Sequence, residues 1–415
     1  MSCFSPPAER MPEGQTLGMK TMNFEKNYDV VVAGGGMAGV AAALAAAEEG
    51  ARVAVIEKAA IFGGLATSGL INAYLPICDG KGTQVSFSLA EKLLHASYRY
   101  GPNTLKKKDW GVTPWKPEDG RYQTVFSPSS FAIALDELLL ERNVDCWLDT
   151  LLCAVETDSD QRVTALQVEN KSGRGRIAAS VFVDATGDAD LVRRAGGRTR
   201  DGMNYTCIWV LHHDHSVSPE NFEKHFPMAY FTEKECDTHG VSGAEVSRFL
   251  LKGRTMLREF YQEQYAKGNA TPDSLYPVLI PTMPQYRVIS CIEGKTRLSD
   301  GAGATRFEDS IGIAADWRGN GALPPWEIPY SSLIPESLKN VLAAGRSSSA
   351  EGEGWEITRV IPSAVVTGEA AGTAAALAAC RRIPLETLPC QEVQKTLRKR
   401  GVPLHLPDVG LSYKN

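Results

Sequence analysis

The chain has 415 residues, of which 43% are hydrophobic and 22% charged, with a formal net charge of −5; this is enough to bury a large core and suggests two or three structural units. A balance of 44 Lys and Arg against 49 Asp and Glu gives no electrostatic reason to expect nucleic acid. No run of about 20 uninterrupted apolar residues offers a membrane span, and nine cysteines, odd in number and never spaced C-x-x-C, offer neither a disulfide framework nor a zinc or iron–sulfur site.

Residues 1–26 are polar, contain Pro and Gly and lack the apolar core of a signal peptide, so they read as a flexible tail on a cytoplasmic protein. A buried strand is expected over Asp29–Ala33, a helix over Met37–Glu49 and a second buried strand over Arg52–Glu57, forming a βαβ unit. Ser129–Arg142 has the apolar spacing of an amphipathic helix opened by a serine cap. Residues 151–157, 162–169 and 175–180 then read as a small antiparallel meander turning at DSDQ and NKSG, followed by VFVDAT (181–186) as a separate buried strand.

Residues 201–330 differ in character, holding all but two of the histidines and a helix over Gly243–Lys267. They are read as an inserted mixed α+β substrate domain. VLAAGR (341–346) and the alanine-rich helix Pro362–Cys380 resume the strand–glycine–alanine pattern of the N-terminal half, leaving 386–415 as a C-terminal extension. The fold expected is therefore α/β, a Rossmann-like domain with a β-meander, built from 27–200 and 331–385 and interrupted by the substrate domain.

VVVAGGGMAGVAAALAAAEEG (30–50) carries the main chemical signal. Gly34, Gly36 and Gly39 fit G-x-G-x-x-G between strand and helix. The first permits a tight turn, the second lets main chain approach a pyrophosphate, and the third lets helix and strand pack closely. The helix N-terminus offers unpaired N–H groups to the phosphates. Glu57, ending the second strand, is placed to accept hydrogen bonds from a ribose, so a dinucleotide site is expected.

Three further stretches identify which dinucleotide. EKAAIFGGLATSG (57–69), VFVDATGDADL (181–191), and VLAAGR with RVIPSAVVTGEAAGTAAALA (359–378) together resemble the flavoproteins with a glutathione-reductase-type FAD domain, and specifically the FAD-dependent oxidoreductase (FAD_oxidored) family, over about residues 28–385. The resemblance implies FAD as cofactor. It implies that Gly34, Gly36, Met37, Ala38 and Gly39 hold the pyrophosphate, and Glu57 and Lys58 the adenosine end. Gly63, Gly64, Leu65 and Thr67 would follow the ribityl chain, with Cys153 near the adenine. Ala185, Gly187 and Asp188 form a third contact and Gly345 and Arg346 a fourth, while Val360 and Ile361 open the helix whose positive end faces the flavin. That dipole would favour an anionic reduced flavin by up to about 2 kcal/mol.

YRVISCIEG (286–294), FEDSIGIAADW (307–317) and WEIPYSSLIP (326–335) also resemble the family. Ser290 and Cys291 stand where basic residues are common, and SSSAEGEGWEITR (347–359) lacks a histidine often seen there, which implies a substrate different from that of relatives. Arg287 and Arg359 are the catalytic candidates, because a guanidinium can clamp a carboxylate or stabilise charge near a flavin. A structural ion pair between domains is the competing reading of Arg287. Tyr74, Tyr286, Tyr330 and Trp355 are candidate pocket aromatics, against plain core packing. HHDH (212–215) has no third ligand in view, so no metal is expected. FAD is expected to bind noncovalently, with Cys78 and His95 left open as tethers.

The expected activity is hydride transfer between a small organic substrate and flavin N5, with an electron acceptor or donor as second partner and neither nucleic acid nor membrane involved. A non-catalytic flavin-binding protein and an NAD(P)-dependent dehydrogenase stay open as alternatives.

Overall fold

The computed structural model describes residues 22–101, 121–216 and 228–414. At its centre is a seven-stranded sheet. Strand β1 (Phe24–Ala33) lies between β2 (Val53–Ile56) and β6 (Gly173–Asp184) and runs parallel to both. Beyond β2, β3 (Asp145–Trp147) continues the parallel run. On the other side, β4 (Leu151–Thr157) and β5 (Val163–Asn170) complete an antiparallel meander with β6.

The meander and VFVDAT are one strand, not two. Over 173–178 β6 pairs with β5; at 182–184 it pairs instead with β10 (Val341–Ala343), in parallel. The first part is covered less completely, so its sequence alternates, whereas Val181–Asp184 is buried throughout. That change of pattern made the continuous strand look like two.

β1 also starts earlier than expected, at Phe24, inside the segment read as tail. Phe24 to Tyr28 align with Gly175 to Ala179 of β6, and the Phe24 ring stacks on Trp147 with centroids 5.3 Å apart. Both partners are distant in sequence, so FEKNY alone gives no sign of them. The rest of the expected tail, residues 1–21, lies outside the described residues.

Helix α1 (Met37–Glu48) packs against the long helix α5 (Ile361–Arg381). A side chain at Gly368 would meet the Ala38 carbonyl oxygen at 2.2 Å, and one at Gly372 the Ala42 carbonyl oxygen at 2.1 Å. Small residues on both helices thus allow main chain to approach main chain, which explains the alanine content. By length and mean hydropathy α5 could cross a membrane, despite Glu369, but 94% of its apolar window is buried in the fold. Enclosure on all sides, rather than lipid, accounts for its composition. Helix α2 (Pro128–Glu141) packs on α1, capped by Ser127, whose hydroxyl accepts from the Ser130 N–H.

A second sheet orders β8 (Met228–Thr238), β7 (Asn204–Asp214) and β9 (Leu275–Leu279) antiparallel, with helix α3 (Gly243–Ala266) against it. Ser242 and Glu245 close a capping box at the start of α3. Ile208, Val210, Leu257, Tyr261 and Leu275 form a core separate from the main one. That core is drawn more narrowly than 201–330: Cys291, Ile311, Ala314, Trp326 and Ile328 belong to the main core, as do Val393, Leu397, Val402 and Leu404 of the C-terminal segment. Leu397 lies on helix α6 (Cys390–Lys399), whose other face carries the KTLRKR charges.

Candidate active site

Strands β1, β2, β6 and β10 end at the same side of the sheet. The residue after each, Gly34, Glu57, Ala185 and Ala344 respectively, lines one crevice. From β1 the chain departs to β2 on one side while β6 lies on the other, and ligands bind open parallel sheets at such a switch point.

The three motif glycines divide their work there. Gly34 has φ +98°, and a side chain on it would meet the Ala185 carbonyl oxygen at 2.4 Å. A side chain on Gly39 would meet the Gly34 carbonyl oxygen at 1.8 Å. Both are needed to close the turn against its neighbours. Gly36 differs: its φ is an ordinary −68°, and a side chain there would meet nothing within 4 Å. It would project into the crevice. No side chain caps α1, so its first N–H groups face that open space with the positive end of the helix dipole.

Glu57 is buried and holds both walls of the turn, one carboxylate oxygen accepting from the Gly35 N–H at 2.7 Å and the other from the Ala59 N–H at 2.8 Å. A carboxylate has about four acceptor positions, so capacity for a ribose hydroxyl remains. Gly35 carries no role in the glycine motif, yet a side chain on it would run into the Phe62 ring at 2.4 Å. Its signal was present, as the x of G-x-G, but the motif says nothing about what covers that position.

Met37, Ala38, Lys58, Gly63, Gly64, Leu65, Gly187, Asp188, Gly345, Arg346 and Ile361 also line the crevice. Gly39 and Thr67 lie behind the wall; the Thr67 hydroxyl donates to the Phe62 carbonyl. Cys153 sits in β4 with its thiol on the Leu151 carbonyl at 3.5 Å, outside the lining residues. Arg346 is a pin between three segments: it donates to the Gly187 carbonyl at 2.6 Å, to the Tyr286 carbonyl, and to Asp188 at 2.6 Å.

Through Leu65, Ala66, Arg346, Arg359 and Ile361 the crevice opens into a chamber. Including their mouths, the crevice has an empty volume of about 850 Å³ and the chamber about 1160 Å³. Tyr205, Cys207 and Trp209 enter the chamber from alternate positions of β7, Tyr230 from β8 and Gln285 to Arg287 from the segment after β9. Val360 contributes to this chamber rather than to the crevice.

Both catalytic candidates are in the chamber wall and share one carboxylate, Glu356, which no motif singles out. It lies on the short helix α4 (Gly352–Thr358). Arg287 reaches its Oε2 at 3.3 Å and Arg359 reaches the same oxygen through Nε at 3.0 Å and a second nitrogen. Burial opposes the Glu356 charge, but the Arg359 hydrogen bonds and both guanidiniums outweigh it and hold the carboxyl below its usual range. Burial pulls Arg359 below its ordinary value in spite of that partner. Arg287 therefore does make an ion pair between the two regions, while also lining the chamber. Its guanidinium lies over the Tyr205 ring, and that of Arg359 over the Trp317 ring.

Of the four aromatics expected in the pocket, Tyr286 lines the chamber. The others are structural: Tyr74 donates to the Ala90 carbonyl, Trp355 to the Arg346 carbonyl at 2.9 Å, and Tyr330 is buried in the main core. Trp209 and Trp317 were missed. The period-two run Tyr205, Cys207, Trp209 could have revealed the first; Trp317 has no local signal. Burial pushes the Cys207 thiol up to about 11, which keeps it protonated near neutral pH.

Cys78 and His95 line neither cavity. His213 stacks on Tyr276, and among the described residues no three His, Cys, Asp or Glu side chains gather in a metal-holding group.

A family model described as FAD dependent oxidoreductase matches residues 29–246 and 292–397, well over half of the chain. The match omits 247–291, so of YRVISCIEG only the part from 292 is matched and Arg287 falls outside. No curated protein matches. Among solved structures the chain is similar to a geranylgeranyl bacteriochlorophyll reductase-like protein from Thermoplasma acidophilum, at 14% identity over 94% of this chain and 89% of that one, with a TM-score of 0.46. It is also similar to OxyS anhydrotetracycline hydroxylase from Streptomyces rimosus, at 12% identity over 90% and 66%, TM-score 0.44. A third is p-nitrophenol 4-monooxygenase PnpA from Pseudomonas putida DLL-E4, at 14% identity over 91% and 82%, TM-score 0.38.

Proposed function

The chain belongs to the FAD dependent oxidoreductase family, and we propose that it transfers a hydride between flavin N5 and a small organic substrate held in the arginine-bearing chamber. Membership makes the chain an FAD-dependent oxidoreductase. The observation that carries the finer reading is the continuity of the two cavities: a groove with open space above Gly36 at an uncapped helix start runs, past Leu65 and Ile361, into a chamber with two guanidiniums.

In this reading the chain holds FAD along the crevice. Gly34, Gly36, Met37 and Ala38 would take the pyrophosphate, Glu57 and Lys58 the adenosine end, and Gly63, Gly64 and Leu65 the ribityl chain. Gly345, Arg346, Val360 and Ile361 would flank the ring, and Ala185, Gly187 and Asp188 the opposite wall. Bound FAD supplies the two-electron carrier. The protein's own part is position and electrostatics. Arg287 and Arg359 orient the substrate, and the apolar wall of Leu65, Ile71, Ala73 and Leu75 excludes water from it. Tyr205 stays a neutral hydroxyl because burial raises it well above its ordinary value, so it can hold a proton beside the reacting group. Strands β7 and β8 and the segment Gln285 to Arg287 supply the substrate-side wall of the chamber.

Anaerobic titration of the purified yellow protein with a metabolite library, followed by visible absorbance, tests the proposal. Bleaching by one class of compound is the expected result. A flavin that no donor reduces and no acceptor reoxidises would instead mark a non-catalytic flavin carrier.

A further inference from the structure

The chamber's charges do not balance. Arg346 is matched by Asp188, but among the described residues Arg287 and Arg359 share Glu356 alone, and all three of their hydrogen bonds to it fall on one oxygen. One positive charge is left over in a half-buried wall. Among the described residues, the Arg287 side chain makes a single hydrogen bond out of the five its guanidinium can donate, and Arg359 uses two nitrogens of its three. Most of the remaining wall is apolar or aromatic. Charge held in such surroundings calls for a counter-charge, and a planar guanidinium fork suits a carboxylate best.

From this imbalance, and resting on the proposed function above, we infer that the chamber binds a monocarboxylate carried on an apolar, ring-sized body, with Glu356 as the positioning residue that sets the number of charges accepted. Glu356 occupies half of the pairing capacity of the two arginines. One anionic group on the ligand completes it, and a second has no partner. The apolar wall takes the rest of the molecule. An oxidised flavin ring is neutral and does not supply the missing charge, so binding should be seen without reduction.

The test uses the oxidised holoprotein and four probes: benzoate, benzamide, acetate and phthalate, followed by calorimetry and by perturbation of the flavin spectrum. Benzoate should bind at least tenfold tighter than benzamide, which lacks the charge, and than acetate, which lacks the ring. In Glu356→Gln the phthalate-to-benzoate affinity ratio should rise at least tenfold, because the chamber then accepts two charges. A merely structural Glu356 would weaken both probes alike. Arg287→Ala, which leaves the Glu356–Arg359 pair in place, should remove the preference of benzoate over benzamide, and it carries the test if Glu356→Gln does not fold. Equal binding of benzoate and benzamide by the wild type, or an unmoved phthalate ratio in folded Glu356→Gln, overturns the inference. A purified chain with no FAD overturns the reading beneath it, and its lack of colour tells the two failures apart.

Discussion

The crevice and the chamber meet at Leu65, Ala66, Arg346, Arg359 and Ile361, but their walls are made of different material. Along the crevice, six lining residues are glycines, Gly34, Gly36, Gly63, Gly64, Gly187 and Gly345, which bare the main chain there, and five of the six have positive φ. In the chamber the lining is side chain, from Tyr205, Trp209, Tyr230, Arg287, Trp317 and Arg359. Bare main chain suits groups such as phosphates and sugars, which N–H donors can reach without a side chain between. A side-chain wall can change with each substitution; the segment that the family match omits reaches both cavities, the chamber through Gln285 to Arg287 and the crevice through Met283, Pro284 and Ile289.

The largest effect should come from breaking the crevice at its turn. Gly34→Ala combines a positive φ with a carbonyl at 2.4 Å and should cost about 4 kcal/mol or more, read as loss of soluble, cooperatively unfolding protein. Gly36→Val is the matched opposite. Its Cβ meets no protein atom within 4 Å, so the unfolding midpoint should stay near that of the wild type while FAD affinity falls about 100-fold or more, an amount set by the lost phosphate contact. Full FAD occupancy in Gly36→Val would remove the cofactor from this crevice.

On the chamber side, Arg287→Ala should keep the yellow colour and lower kcat/KM about 100-fold for whichever substrate bleaches the flavin. Unchanged turnover would reduce Arg287 to its ion pair with Glu356.

A smaller effect should be seen beneath the crevice wall at Asp184, the last residue of β6. Burial pushes its carboxyl up to about 6, against hydrogen bonds from the Thr186 N–H and hydroxyl and the Val192 N–H. A folded value above the unfolded one favours the protonated form. The contribution is therefore complete below about pH 4 and is lost as pH rises through 6. Unfolding midpoints of wild type and Asp184→Asn, compared at pH 4 and pH 7, should show the wild type gaining on the variant at the lower pH; a gain at the higher pH would contradict the burial argument.

The smallest effect concerns Cys207 in the chamber wall. With its thiol pushed up to about 11, only about one molecule in 10⁴ carries a thiolate at pH 7. Alkylation by iodoacetamide, followed by mass, should be slow at pH 7 and accelerate towards pH 10. A fast reaction at pH 7 would place a charged thiol next to the arginines.

The crevice was largely legible in the residues because its chemistry is local. A strand, a tight turn and a helix start lie within 30 residues, and the steric demands on Gly34, Gly36 and Gly39 act over short distances. Even so, the division of labour among those glycines depends on Ala185, which β6 brings from 150 residues away. Thr67 and Cys153 fitted the family pattern by position, and their placement behind or beside the wall could not be read from it.

The chamber was legible only as a pair of arginines. That Arg287 and Arg359 converge on Glu356, that Trp317 lies under one guanidinium and Tyr205 under the other, and that Cys291, Ile311, Ala314, Trp326 and Ile328 join the main core are outcomes of long-range packing. Local sequence determined the cofactor class, since turn geometry and helix ends are decided by neighbouring residues. Tertiary structure decided the chamber, because charges and rings from six separate segments form one wall only when folding brings them within a few ångströms of one another.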